Sequence, residues 1–218
     1  MAYIMWYAIA GKVGCLKDRD LEPQQPDRSR DDADDLLAVQ ETLRGRKRAF
    51  DSIVERYTPL LYSLAYRMLE EREEAEEAVQ EILFKAYRSL QRFRLHRRFH
   101  PWIYTIALNH LRSCLRKRQR RSRLKIVPFK EESSQGMASA GAHDPEELAE
   151  QAEGQLLVAK AISGLRPVYR EVFLLRQVEG MSVRDVAEIL DLPEGTVKTS
   201  LHRARKHLVD FLAEKGWE

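Results

Sequence analysis

Between about Asp32 and Arg121, apolar side chains recur every three or four residues almost without a break. That spacing leaves the segment little to fold into except amphipathic helices packed on one another. Asp31 or Asp32 can cap a first short helix carrying Leu36, Leu37 and Val39. A second carries Phe50, Ile53, Val54, Tyr57, Leu60, Leu61, Leu64, Ala65 and Met68, with Pro59 as a candidate kink. A third spans about Glu73 to Leu90, with Ala75, Ala78, Val79, Ile82, Leu83, Ala86 and Tyr87 inward. The fourth starts near Phe99 and Pro101, proline being tolerated in a first turn. Its expected apolar face is Trp102, Ile103, Ile106, Ala107, Leu111 and Leu115.

Periodicity is lost over Ser122 to His143, where runs such as Glu131-Glu132-Ser133-Ser134-Gln135-Gly136 read as a flexible linker. It returns at Pro145, and strand signals are few throughout. The expected fold is all-α: two small helical domains, 32–121 and 145–218, joined by linker 122–144. Residues 1–31 are expected to be a disordered or nonessential N-terminal extension, because Gly11 to Arg30 is polar and Met1 to Ala10 lacks the marks of a signal peptide.

Charge is segregated. A third of the residues are charged, yet the net charge is only +3. Glu70 to Glu81 is crowded with glutamates, whereas Arg112 to Lys125 is dense in Arg and Lys and holds no acid. Such a basic block attracts polyanions, since each neutralised phosphate releases counterions. Cys15 and Cys114 form no CxxC pair and no disulfide framework, which suits a reducing cytoplasm. No run is long and apolar enough to span a bilayer, so stable membrane insertion is not expected.

The sharpest local pattern runs from Met181 to Arg205. Ser182 followed by Asp185 resembles a capping box, and Val186, Ala187 and Leu190 face inward on a short helix. Asp191 to Glu194 break it, and Gly195 and Thr196 open a second helix with Val197, Leu201, Ala204 and Leu208 on one face. This is helix-turn-helix spacing. Thr196, Lys198, Thr199, Ser200, His202, Arg203, Arg205 and Lys206 are expected off the apolar stripe, where they can reach base edges or phosphates in a major groove. Further upstream, Phe93, Phe99, Trp102 and Tyr104 are interleaved with Arg94, His96, Arg97, Arg98 and His100, then Asn109, Arg112 and Arg116. Aromatics among cations suit unstacked bases, although Phe99 and Trp102 also fit a core by spacing.

Together these segments resemble a known family. Glu73 to Tyr87 resembles the acidic core-binding helix of sigma region 2, and Phe93 to Asn109 resembles its promoter-melting segment. The helix-turn-helix, with Glu194-Gly195-Thr196-Val197-Lys198 at its turn, is similar to sigma region 4. The order of parts resembles the extracytoplasmic-function (ECF) sigma factors over roughly residues 32 to 215. The resemblance implies a non-enzymatic, cofactor-free initiation factor. Its implied partners are promoter DNA, the RNA polymerase core (the clamp helices of the largest subunit and the flap of the other large subunit) and an anti-sigma factor. It also implies roles. Glu77, Gln80, Glu81 and Phe84 would bind core. Leu95, His96, Arg97, Arg98, Trp102, Asn109, Arg112 and Arg116 would meet the −10 element. Thr196, Lys198, Thr199, Ser200, His202, Arg203, Arg205 and Lys206 would read or grip the −35 element. Glu77-Ala78, Leu108, Ser113 and His100-Pro101 depart from the usual family residues, which bears on −10 preference.

Two other readings compete. A helix-turn-helix regulator that acts without polymerase would share the C-terminal half, but it leaves the glutamate-rich helix and the aromatic loop without a purpose. An enzyme acting on nucleic acid lacks a phosphate-binding glycine loop, an HExxH and a nucleophile elbow. His110 and Cys114, four apart on one helix, are half a metal site, and Cys114, with Trp102 and Ile106 on the neighbouring turns, fits a core better.

Overall fold

The structure, a computed structural model, describes residues 28–124, 154 and 156–216. Helices α1 (Arg28–Leu43), α2 (Asp51–Leu69), α3 (Arg72–Ser89) and α4 (Phe99–Leu124) form the first unit, with single 3₁₀ turns at Lys47–Phe50 and Leu90–Arg92. The second unit holds α5 (156–163), α6 (Pro167–Phe173), a π-helical turn at Leu174–Val178, α7 (Val183–Leu190) and α8 (Glu194–Glu214). Among the described residues there is no strand. Arg28 to Asp31, expected in a disordered extension, belong to α1, and Ser122 to Leu124, expected in the linker, continue α4. Without an acid or a Gly/Pro break before Leu124, nothing local stops that helix. The rest of both expected segments, and the chain from 145 to 153, lie outside the described residues.

The first unit closes around the apolar stripes. Ile53, Tyr57, Leu61, Leu64, Ala65 and Met68 of α2 are buried against Ala75, Ala78, Val79, Ile82, Leu83 and Ala86 of α3. Some stripe residues turn outward: Leu37 is 58% exposed while its neighbour Ala38 is buried, and Leu60 and Tyr87 are also exposed. Pro59 stays inside α2 on its exposed side, where a missing amide bond costs least. Glu71 caps α3 by accepting from the Glu74 amide at 2.6 Å and the Glu73 amide at 3.3 Å. The acids of that first turn also sit well at the positive end of the helix dipole. Gly45 closes α1 at φ 97°, a left-handed conformation that costs a glycine little.

Asp35 ties α1 to α2. Its buried carboxylate accepts from the Arg56 guanidinium at 2.7 Å and the Tyr57 hydroxyl at 2.5 Å. Burial and the adjacent Asp35 charge push the Tyr57 hydroxyl far above the usual phenol value, so it remains a donor.

The two units pack directly, α4 against α7, and their buried apolar residues form one cluster. That packing covers a second face of α4. Phe99, Tyr104 and Leu108 are fully buried along with the expected Ile103, Ala107 and Leu111, whereas Trp102, Ile106 and Leu115 are partly buried.

Replacing Asp35 should expose the cost of its orphaned partners. Asp35→Ala is expected to destabilise the chain by roughly 3 kcal/mol, because Tyr57 and Arg56 lose a buried acceptor. Asp35→Asn, which keeps an acceptor, should cost about a third of that. Urea denaturation of both variants measures the difference, and equal small losses would mean the carboxylate does not anchor α1.

Candidate nucleic-acid interface

The C-terminal unit presents a helix-turn-helix. Ser182 caps α7 by accepting from the Asp185 amide at 3.0 Å. The expected capping box is only half formed: the Asp185 carboxylate pairs with Arg98 of the first unit. The turn is made by Asp191, whose φ of 55° is left-handed, and by the Leu192 amide, which donates to the Ala187 carbonyl at 3.0 Å. Aspartate tolerates that conformation better than most residues. Val186 and Leu190 are buried as expected, together with Asp185 and Ile189, while Ala187 is only half-buried.

Helix α8 buries Val197, Leu201, Ala204 and Leu208 as its spacing implies, and also Ser200 and Leu212. Ser200 is therefore corrected: it is 4% exposed and faces the unit's interior, not a groove. One turn separates it from Val197 and Ala204, so it falls within the apolar stripe. Thr196, Lys198, Thr199, His202, Arg203 and Lys206 are exposed, and Arg205 is half-buried with Gln177 beside it. The Thr199 hydroxyl donates to the Gly195 carbonyl at 2.8 Å. Arg203 donates to the Tyr169 hydroxyl of α6 at 3.0 Å, a bond that lowers the Tyr169 pKa.

On α3, Glu77, Gln80, Glu81 and Phe84 are all exposed, and their three-and-four spacing places them on one face. Phe84 is 55% exposed with the Arg88 guanidinium over its ring at 5.7 Å. Phe84 and Glu81 line an open cleft of about 400 Å³ with Lys85, Arg88, Ser89, Gln91 and Arg92. An apolar ring left open beside acids and cations suits a protein partner better than DNA.

The loop before α4 holds Leu95, His96 and Arg97 exposed to solvent. Phe93, Phe99 and Trp102 form a ring cluster behind it, with Trp102 at 5.0 Å from Phe93 and 5.2 Å from Phe99. Phe99 is thus core, and half-buried Trp102 keeps one side open. Tyr104 and His100, also interleaved with the cations, are buried as well. Along α4, Asn109 and Arg116 are exposed. Arg118, further along the basic block, donates to the Leu69 carbonyl at the end of α2 at 2.6 Å.

Arg98 and Arg112 are engaged across the two units. Arg98 pairs with Asp185 and lies 3.3 Å from Glu188; burial disfavours its charge, but the two carboxylates outweigh that and raise its pKa. Arg112 holds Glu171 through two bonds of 2.7 Å and 2.6 Å, which raise its pKa against the cost of burial. Tyr104 donates to Glu179 at 2.7 Å. Sequence spacing pointed to none of these acids, because pairing over 59 to 90 residues leaves no periodic trace. Glu171, Glu179 and Asp185 are all buried, and of the three only Asp185 stood out in the sequence, as a capping residue rather than as a pairing acid.

His110 lies between Lys85, 2.5 Å from its Nδ1, and Cys114, 3.5 Å from its Nε2. Burial and the Lys85 charge lower the His110 pKa, and burial raises that of the Cys114 thiol. Among the described residues, no group of His, Cys, Asp and Glu has the number and placement to hold a metal.

Two family models match the chain: Sigma-70 region 2 over residues 53–121 and Sigma-70, region 4 over residues 155–208. The chain is 34% identical over 174 residues to the RNA polymerase sigma-H factor of Pseudomonas aeruginosa, covering 79% of this chain and 90% of that one. It is 31% identical over 172 residues to the ECF RNA polymerase sigma factor SigW of Bacillus subtilis, covering 78% and 92%. Among solved structures, it is similar to the sigma factor RpoE bound to the anti-sigma factor NepR from Bartonella quintana, with TM-score 0.62 and 27% identity over 76% of this chain and 98% of that one. It also shares the fold of CnrH in complex with the cytosolic domain of CnrY, with TM-score 0.63 and 24% identity over 83% and 98%.

The inward placement of Ser200 has a direct consequence. Ser200→Lys should destabilise the C-terminal unit by more than about 2 kcal/mol, since it forces an ammonium into a closed apolar stripe. Thr199→Lys on the outer face should stay within about 0.5 kcal/mol. Thermal unfolding of the two variants compares them, and equal tolerance would put Ser200 back on the surface.

Proposed function

The chain belongs to the sigma-70 family of RNA polymerase sigma factors, in its ECF branch, and we propose that its surfaces divide the work of initiation. The α3 face of Glu77, Gln80, Glu81 and Phe84 binds polymerase core at the clamp helices of the largest subunit. The loop Leu95 to Arg98 and the α4 side chains Trp102, Asn109, Arg112 and Arg116 capture the −10 element as single strand. On α8, Thr196, Lys198, Thr199, His202 and Arg203 face the −35 duplex, while Arg205 and Lys206 act mainly on phosphates. The second unit also meets the flap of the other large subunit. Such work takes place in the cytoplasm, and no catalytic step is assigned to the chain.

The observation that carries this reading is the open α3 face. A duplex-binding regulator has no use for an exposed Phe84 flanked by glutamates, whereas a polymerase subunit needs a protein-docking surface separate from its DNA-binding ones. The loop supports the second part, since exposed residues on a rigid aromatic cluster can frame one extruded base. Control by an anti-sigma factor follows by analogy with RpoE, solved with NepR.

Reversing Glu77 and Glu81 to Lys should weaken binding to polymerase core by roughly tenfold or more, the scale of losing charge complementarity at an interface. Circular dichroism should show the helical content unchanged, because both side chains are exposed. Unaltered core affinity would remove α3 from the polymerase interface. Arg203→Ala should cost about 1–3 kcal/mol on the preferred −35 sequence and relax specificity at one position. A uniform loss across all sequences in a binding selection would make Arg203 a positioning residue.

A further inference from the structure

We propose that Tyr169, on α6, is a positioning residue for −35 recognition: its hydroxyl holds the Arg203 guanidinium in place for a base. The proposal rests on the assignment of Arg203 to the −35 element made above. Tyr169 lies outside the helix-turn-helix, 34 positions before Arg203. Its ring is half-buried and packs against the core of the second unit. A phenylalanine would fill that place equally well. What the hydroxyl adds is the bond it accepts from Arg203 Nη1 at 3.0 Å.

The support under that phenol is rigid. The neighbouring α6 residues Glu171, Val172 and Phe173 are buried, and α6 packs along α8. Arg170 fastens the same helix to the end of α5, donating to the Ile162 carbonyl at 3.1 Å and to the Ser163 carbonyl. Arg166, just before α6, sets its guanidinium over the Tyr169 ring, 5.7 Å from the centroid, and so steadies the ring from its face.

Arg203, by contrast, is an exposed side chain on α8. A long exposed side chain loses rotamer freedom when it binds, and holding it beforehand removes part of that cost. The bond also leaves the useful edge open. Tyr169 takes Nη1, and among the described residues nothing pairs with the Nε–Nη2 edge. Two parallel donors on one edge are what a bidentate contact to a base requires. The phenol thus fixes the direction of a fork whose open side is turned to DNA, and base choice comes to depend on a residue off the recognition helix.

The test uses holoenzyme assembled from the full-length chain and RNA polymerase core, with a promoter library randomised in the −35 element and constant elsewhere. Sequencing of the bound promoters gives the base preference at each position. Tyr169→Phe keeps the ring and removes only the hydroxyl, so its thermal unfolding should match that of the parent chain. It should lower the preference at the one position that Arg203→Ala relaxes by roughly fivefold, the scale of one hydrogen bond. The other positions should be unchanged. In an Arg203→Ala background, Tyr169→Phe should add nothing, because the two side chains act as one unit. A merely structural role would lower binding to all sequences alike, or would persist without Arg203, and either result overturns the proposal. If Arg203→Ala relaxes one position and Tyr169→Phe leaves the profile unaltered, Arg203 remains a base reader and only the role of Tyr169 is lost. If Arg203→Ala itself relaxes no position, the −35 assignment of Arg203 fails and the proposal fails with it.

Discussion

Helix α4 has to bury two faces at once, and the other elements are arranged by that demand. Ile103, Ala107 and Leu111 fill the first unit with α2 and α3, while Phe99, Tyr104 and Leu108 extend the buried surface around the helix, which also packs on α7. A helix that is apolar over so wide an arc is stable only when enclosed. The polar residues of α4 are confined to what remains: Asn109 and Arg116 in the open, Arg112 at the seam between the units, and the basic run that ends it. The same enclosure fixes the aromatic cluster of Phe93, Phe99 and Trp102, and hence the platform on which the loop Leu95 to Arg98 rests.

Electrostatics divides the molecule along a different line. The glutamates of α3 are exposed and, among the described residues, pair only within the first unit, so they stay hydrated. Three acids of the second unit are instead buried against donors of the first: Glu171 on Arg112, Asp185 on Arg98 and Glu179 on the Tyr104 hydroxyl. Hydrated charges steer association from a distance, whereas desolvated pairs specify one geometry. The first kind covers the open face of α3, and the second kind lies where the two units meet.

The helix-turn-helix also shows how helix register limits a reading of polar residues. Ser200 looks like a groove residue because its hydroxyl is chemically suited to bases. It lies inward because it is three residues after Val197 and four before Ala204, and a small hydroxyl is tolerated in that stripe. Leu37 and Leu60 are the converse case, apolar side chains at stripe spacing that end on the surface. Hydrophobic spacing locates a face to within about one residue's rotation, and the residue at its edge is settled by which neighbour arrives.

The sequence by itself determined the class and most of the local structure. Three-and-four spacing is imposed by the helical repeat, so the helices around Tyr57, Ile82, Ile103, Val186 and Val197 were legible from single segments, as were the turn at Asp191 and the outward cations of α8. The order of acidic helix, aromatic loop and helix-turn-helix pointed to the family because each part is contiguous in the chain. Only the tertiary structure decided that Arg98 and Arg112 are paired with Asp185, Glu188 and Glu171, that Tyr104 is buried on Glu179, and that Asp35 anchors α1 through Tyr57. Those contacts join residues 22 to 90 positions apart. A periodic signal reports which side of a helix is apolar but carries nothing about which distant helix will cover it.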